Sequence, residues 1–448
     1  MLNLLLELEP VWVALLLPSL LLPEYFWDEW AYPWAIALLF LFWPIRLIYR
    51  KRLGPTSPLN LPALLLLLWG VVCCLLSSTP EASWLALGIL SGGVALYFAL
   101  INSAFLQARP IWLILGIGVV GLALAAFGPA ILKNIPNKLI FFDNEVNRSQ
   151  PIDLLGTGET VNSNILAGNL LLPIPFTVAI ALGWGWSRRD WGRRLITLFF
   201  AAAAVLMAAT FILAQSRGGY LALTVALILL FTLYWRWTLL IVGVILAAIV
   251  SVSSWDGLVL LAQSIGSDGS VTSLSGRWEI WVGSFWALVN YPLFGIGLGS
   301  FEQMMPLLLP QLFSKGTIPH AHNLLLQVGL DLGLPGLIVF LWLWIGALVV
   351  QIKTLRQLAD LRQEESLNYD QHRSHHNQRR RKRALAIRSA IAAGALATTV
   401  AMLLHGMVDA ATWGTKPAPL AWVILAVTTL IYQSVNDQEP QPAEATSF

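Results

Sequence analysis

The chain has 448 residues, 57% of them hydrophobic and only 11% charged, with a formal net charge of +3. A soluble domain carries about 25% charged residues, so the composition excludes a soluble enzyme and points to a polytopic helical membrane protein. A β-barrel would show short alternating segments instead, and the only two cysteines, the adjacent Cys73 and Cys74, cannot found a disulfide framework.

Apolar runs long enough for the roughly 30 Å hydrocarbon core recur from the N-terminus onward. The first, near 10–22, follows Glu7 and Glu9 rather than a basic leader. It has no small-residue cleavage site and is expected to be a retained helix. The second, 31–48, is preceded by the aromatic stretch "EYFWDEWAYPW", which fits an interfacial belt. Further spans are expected at 60–78, 83–104, 110–131, 164–186, 195–214, 218–234, 237–253, 323–350, 387–405 and 418–433, making 12 in all.

With the N- and C-termini in the cytoplasm, 20 of the 27 Lys and Arg fall on the inner side, as the positive-inside rule requires. This orientation puts the long loops 132–163 and 254–322 outside. It puts 351–386, with its "HRSHHNQRRRKRA", inside, as a basic loop that fixes topology or touches membrane lipids. The tail 434–448 is polar and expected to be disordered. The chain thus divides into N-terminal helices (1–150), a second membrane region (151–433) and the tail (434–448).

Several polar side chains then gather on the outer side. Arg217, in "AQSRGGYLAL", interrupts an apolar tract. Arginine at membrane depth costs at least about 2.5–3.5 kcal/mol on insertion scales, so its retention points to an anionic ligand. Arg277, in "SGRWEIW", opens an amphipathic stretch of the large outer loop. His320, His322 and Asn323, in "PHAHNLLLQVGLDLGLPG", begin the tenth span, and His405 and Asp409 end the eleventh on the same side. Leu326, Gly329, Gly333 and Gly336 share roughly one helix face, where small residues admit a close neighbour. Pro335 is expected to bend this helix. Two guanidiniums suit a diphosphate, which arginine binds in bidentate fashion. An imidazole with an unperturbed pKa of about 6.5 suits removal of a hydroxyl proton. No metal-ligand spacing is visible, and "GIGLG" at 295–299 reads as a loop turn.

The pattern His322-Asn323, nine residues, Gly333-Leu-Pro-Gly336 resembles the signature of the O-antigen ligase and polymerase superfamily of bacterial membrane glycosyltransferases. The segments "VNSNILAGNLLLPIPF", "QSRGGYLAL" and "GRWEIWVGSFWALVNYPLFGIGLGSF" are similar to it too, so the resemblance covers about 155–430. It implies a helical fold of the C type found in lipid-dependent glycosyltransferases. It implies transfer of a glycan from an undecaprenyl-diphosphate carrier to a lipid or glycan acceptor hydroxyl, on the periplasmic side of the plasma (inner) membrane. No cofactor, metal or nucleic acid is implied. Arg217 and Arg277 would bind the diphosphate and His322 would be the catalytic base, with His320, Asn323, Asn164 and His405 as supporting candidates. Asn162-Ser163-Asn164 stands where the family often has Asn-Pro-Asn, and the motif gives His320 no role. Tryptophan-rich cyanobacterial members look similar over the same segments, and some are named inorganic-carbon transporters, so bicarbonate transport is the alternative. A transporter should show internal repeats or broken helices at mid-membrane; neither is legible here.

Overall fold

The computed structural model describes residues 5–131, 162–184, 190–252, 274–313, 318–367 and 375–436. The expected loop at 132–163 and the expected tail lie almost wholly outside these residues, and the last helix runs to Asn436. Among the described residues there are helices and no strands, and nine helices are long and apolar enough to cross a membrane. The chain is an all-α, multi-pass membrane protein. Every one of the 12 expected spans falls on a helix.

The first five are α1 (Glu9–Leu21), α2 (Tyr32–Arg50, with a turn at 39–41), α3 (Asn60–Leu75), α4 (Pro80–Asn102) and α5 (Ile111–Ile131). Then come α6 (Ser163–Trp184), α7 (Trp191–Ala214), α8 (Arg217–Tyr234) and α9 (Thr238–Val252). The amphipathic stretch of the large loop forms α10 (Leu274–Asn290), followed by the short α11 (Phe301–Leu308). The chain closes with α12 (Leu324–Leu367), α13 (His375–Gly406) and α14 (Pro419–Asn436).

Two helices organise the packing. α4 starts with Pro80 at its first position, where the missing N–H costs nothing. It is buried between α1, α2, α3 and α14. α13 carries the alanine-rich run "AIAAGALA", whose small side chains let α6, α8 and α12 pack closely around it. By contrast α7 and α8 turn Leu195, Val205, Leu206 and Leu221 outward, as helices facing lipid do.

Glu9 lies within the first turn of α1 and forms a fully buried ion pair with Arg46 of α2. Arg46 Nη1 also donates to Leu53 O at 2.7 Å. Arg46 therefore joins α1 to α2. Removing one partner of such a pair costs about 3–5 kcal/mol, because the other charge is left buried and alone.

The region 351–386 is less of a loop than its polarity indicates. α12 continues to Leu367 and α13 already begins at His375. Neither extension contains Gly or Pro; that of α12 is rich in Leu, Gln and Glu and that of α13 in Arg, so the helix propagates past its apolar part. Arg381 Nε, 3.2 Å from Glu365 Oε2, ties the two extensions together.

Candidate functional site

The site is built outward from the start of α12. Asn323 Oδ1 accepts hydrogen bonds from Leu325 N at 3.0 Å and Leu326 N at 3.1 Å, capping the helix. Its Nδ2 donates to Met407 O at 3.0 Å, which fastens the cap to the chain leaving α13. Nine helical residues follow, 324–332, and then Gly333 takes φ 66° and ψ −175°. A Cβ there would lie 2.1 Å from Leu293 O, so only glycine fits. The break comes from Gly333 and not from Pro335, the bend the sequence had pointed to. The spacing of the His-Asn and Gly-x-x-Gly pairs is thus the length of one short helix between its cap and its break. The glycine face meets α10 at Leu288 and the turn after it, and Gly336 meets Trp69 of α3.

Within that short helix Gln327 and Asp331 are one turn apart and both buried. Gln327 Oε1 accepts from Ala321 N at 2.8 Å, between the two histidines, and its Nε2 donates to Asp331 Oδ1 at 3.0 Å. Asp331 also accepts from Gly299 N at 3.2 Å and from Trp413 Nε1 at 2.7 Å. One carboxylate therefore holds together the histidine loop, the "GIGLG" turn at 295–299 and the loop after α13.

His322 is 6% exposed and has φ 48°, a left-handed conformation that a non-glycine residue adopts at a cost. Its carbonyl accepts from Trp281 Nε1 at 3.2 Å. Its ring packs on His320, with centroids 4.3 Å apart. Both imidazoles face Asp409: His320 Nε2 lies 2.8 Å from Oδ1, and His322 Nδ1 lies 3.8 Å from Oδ2. The first is a hydrogen bond. The second is too long for one, and it leaves His322 Nδ1 buried without a hydrogen-bond partner among the described residues.

Arg277 lies one turn before Trp281 on α10, on the face that meets His322. Its Nε is buried without a partner among the described residues, and its charge is felt at both His322 and Asp409. His405, in the last turn of α13, is fully buried, with Nε2 likewise unpartnered among the described residues. Arg217 occupies the first position of α8, behind Ser216, which caps Gly219 N at 3.2 Å. A Cβ on the next residue, Gly218, would lie 2.4 Å from Val408, which sets the start of α8 against the residue before Asp409. Asn164 is buried in the first turn of α6, and Gly168, one turn on, abuts Ala411 and His405. The structure thus brings Arg277, His320, His322, His405 and Asp409 together. Arg217 and Asn164 stand on the helix starts that border them.

The electrostatics follow from this burial. Burial lowers the His322 pKa, more than the Asp409 contact raises it, so the ring is neutral near pH 7. Burial alone would raise the Asp409 carboxyl. The hydrogen bond of His320 and the close approach of His322 outweigh it and hold the group well below the ordinary carboxylate range. Arg277 is lowered by burial and raised by Asp409, and arginine stays charged in any case. A neutral base beside a fixed carboxylate, with a guanidinium nearby, can take a proton from a hydroxyl while a leaving anion is held.

His320, His322 and Asp409 also offer three ligand atoms within 4.8 Å of one another, the count needed to begin a divalent-metal site. Two ligands about 2.0–2.1 Å from a tetrahedral zinc would stand roughly 3.3 Å apart. His320 and Asp409 are closer, at 2.8 Å, an ordinary hydrogen-bond distance. Sequence reasoning gave Asp409 a place but no role, and passed over Gln327 and Asp331. The only signal for Asp409 was a carboxylate one helical turn beyond His405.

A membrane-embedded helical bundle that gathers arginine, imidazole and carboxylate at one end is equipped for an anionic substrate at the lipid boundary. Residues 202–341 match the family model described as O-antigen ligase, a segment that contains Arg217, Arg277, His320, His322 and Asn323. The match supports the O-antigen ligase and polymerase superfamily for this chain, and with it ligase- or polymerase-type glycan transfer in general. His405, Asp409 and Asn164 lie outside the matched residues. No curated protein matches the chain.

Proposed function

We propose that the protein transfers a glycan from an undecaprenyl-diphosphate carrier to an acceptor hydroxyl, on the outer side of the plasma membrane and without a metal. The observation that carries this reading is the pairing of His322 with Asp409 beside Arg277. Asp409 faces Nδ1, so Nε2 of His322 is the nitrogen left for substrate. It takes the proton of the acceptor hydroxyl as the acceptor oxygen bonds to the anomeric carbon. The bond from that carbon to the diphosphate oxygen breaks, and the diphosphate leaves with the electron pair. Arg277 and Arg217 hold the charge that develops there. The proton on His322 passes to water or to the departing diphosphate, which returns the base.

Asn323 holds the histidine loop, and His320 holds the Asp409 carboxylate. The orientation follows from the Lys and Arg asymmetry, which puts the histidine end outside. The reading is tested by reconstituting the full chain with carrier-linked glycan and an acceptor, with EDTA in one arm and bicarbonate uptake followed in parallel. Glycan transfer that persists in EDTA is the expected result. Bicarbonate flux with no transfer would replace this reading with transport.

A further inference from the structure

The chain ahead of α12 does not stay on the surface of the bundle. α10 descends beside the first part of α12: Trp281 Nε1 donates to His322 O at 3.2 Å, and seven residues further along both, Leu288 abuts Gly329. Phe294, just past the end of α10, stacks on Trp69 of α3 with centroids 5.5 Å apart and planes 16° apart. Trp69 lies six residues inside the end of α3 at Leu75, roughly 9 Å deep at about 1.5 Å per residue. The chain then climbs back. Ser300 Oγ, at the start of α11, lies 3.2 Å from Ser77 Oγ, which is beyond the end of α3. Residues 274–300 thus go in and out on the histidine side, with the elbow at 291–299.

Backbone that enters lipid outside a helix must find its hydrogen-bond partners in protein. The elbow finds them at the break in α12. In a continuous helix Leu334 N would bond Leu330 O. At Gly333 the two part, and the elbow takes both: Leu330 O accepts from Ile296 N and Leu334 N donates to Pro292 O, each at 2.7 Å. Leu332 O accepts from Trp69 Nε1 at 2.7 Å. A Cβ on Gly295 would lie 2.0 Å from Leu330 O, so this close exchange needs glycine on the elbow as well as at the break.

α10 has two unlike faces. Ile280, Ala287 and Leu288 are buried with Phe301, Met305 and Leu330. Trp278, Val282, Phe285, Trp286 and Val289 are exposed on the opposite side, and Leu293 continues their stripe. An apolar stripe of this length is rare on a watery surface. Glu279 borders it at the upper end, where the helix leaves the level of the elbow.

We propose that α10 and the elbow form a re-entrant segment whose exposed face is covered by the acyl chains of the leaflet on the histidine side, with Val289 and Leu293 immersed and Glu279 in water. In the proposed reaction this holds Arg277, at the upper end of the same helix, at the boundary where the diphosphate of a lipid carrier lies.

The full chain is spin-labelled at one introduced cysteine, Val289→Cys, Phe285→Cys or Glu279→Cys, and reconstituted in phosphatidylcholine vesicles. Cys73 and Cys74 are buried, and the unsubstituted chain reports any label they take up. Variants whose thermal unfolding matches the wild type are compared. Oxygen concentrates in hydrocarbon and a nickel chelate in water. Oxygen should relax the labels at 289 and 285 more strongly than the chelate does, and the order should be reversed at 279. Nickel access at 289 and 285 equal to that at 279 would put the helix in water. Low access of both reagents at 289 and 285 would mean that protein, a second copy or another segment of this chain, covers the face. Either result overturns the proposal. The readout needs no catalysis, so its failure is distinct from failure of the transfer reaction.

Discussion

His320 Nε2 lies 2.8 Å from Asp409 Oδ1, a contact that closes 89 residues of chain. His322 approaches the other oxygen of the same carboxylate at 3.8 Å. One acid therefore faces two imidazoles. In the proposed reaction His320 fixes the carboxylate, and His322 is left as the base. Activity should follow that division of labour.

Replacing His322 by Ala should lower glycan transfer by about 10²–10⁴-fold, the usual contribution of a positioned base. Carrier binding should be retained. His320→Ala should cost less, because it loosens the carboxylate without removing the base. Gel mobility of the product in the reconstituted reaction checks both, and equal transfer by wild type and His322→Ala would remove the base role.

The pH profile carries a sign. His322 must be neutral to act, and its pKa is lowered by burial, so the acid limb of kcat/KM should fall below the ordinary value of about 6.5. Asp409 raises the His322 pKa. Asp409→Asn should therefore move the limb to still lower pH and reduce the plateau rate. A limb displaced upward in that variant would show that Asp409 does not face the base. The same lowering makes the fold lose stability as pH drops through about 6.5 toward the folded-state value, since the unfolded chain takes up the proton first.

Arg277→Ala and Arg217→Ala should each weaken binding of the diphosphate carrier by about 1.5–3 kcal/mol, the size of a hydrogen bond to a charged group. Arg277→Lys should recover part of it, because lysine keeps the charge but lacks the planar fork. Direct binding of carrier to the purified protein is the measurement; unchanged affinity in both alanine variants would take the diphosphate from these residues.

Asp331 should matter to stability as much as to rate. Asp331→Ala strands the donors of Gly299, Gln327 and Trp413 in a buried place, at about 1–3 kcal/mol for each group left unpaired. Asp331→Asn keeps one carbonyl acceptor and should fall between. Thermal unfolding of the purified variants would show this, and a change below about 1 kcal/mol for alanine would mean the three loops are held by other contacts.

Orientation is open to chemical labelling. Glu302 and Lys382 are both exposed, at opposite ends of the bundle, while the native Cys73 and Cys74 are buried and give little background. An impermeant maleimide should label Glu302→Cys in intact cells with a permeable outer barrier, and should miss Lys382→Cys. The reverse pattern would put the histidine end inside.

Hydropathy alone located the helices: every expected span falls on one, and nine of these among the described residues are long and apolar enough to cross a membrane, because the bilayer dictates the length of an apolar run. Arg217 was legible as a charge that interrupts an apolar tract, and Arg277 and His322 as polar residues on the same outer side. Asp409 was not legible as a partner, since nothing local in "HGMVDAAT" says that it meets a histidine 89 residues earlier. Asp331 was equally silent: in a helix it looks like a stray charge, and only the return of Trp413 gives it purpose. Pro335 drew attention from Gly333, because a proline is visible in sequence and a neighbouring carbonyl at Leu293 is not. The length of α12 and α13 was hidden by the change from apolar to polar residues, which ends a membrane run without ending a helix.

The 89 residues between His320 and Asp409 also set a schedule for biogenesis. At about 5–20 residues per second, the ribosome delivers the carboxylate some 4–18 s after the histidine. Trp413 follows Asp409 and is made after Asp331. A nascent chain made as far as the end of α12 thus carries His320, His322, Arg217 and Arg277 without the carboxylate that His320 contacts. The candidate site is completed last, when the synthesis of most of the bundle is already behind it.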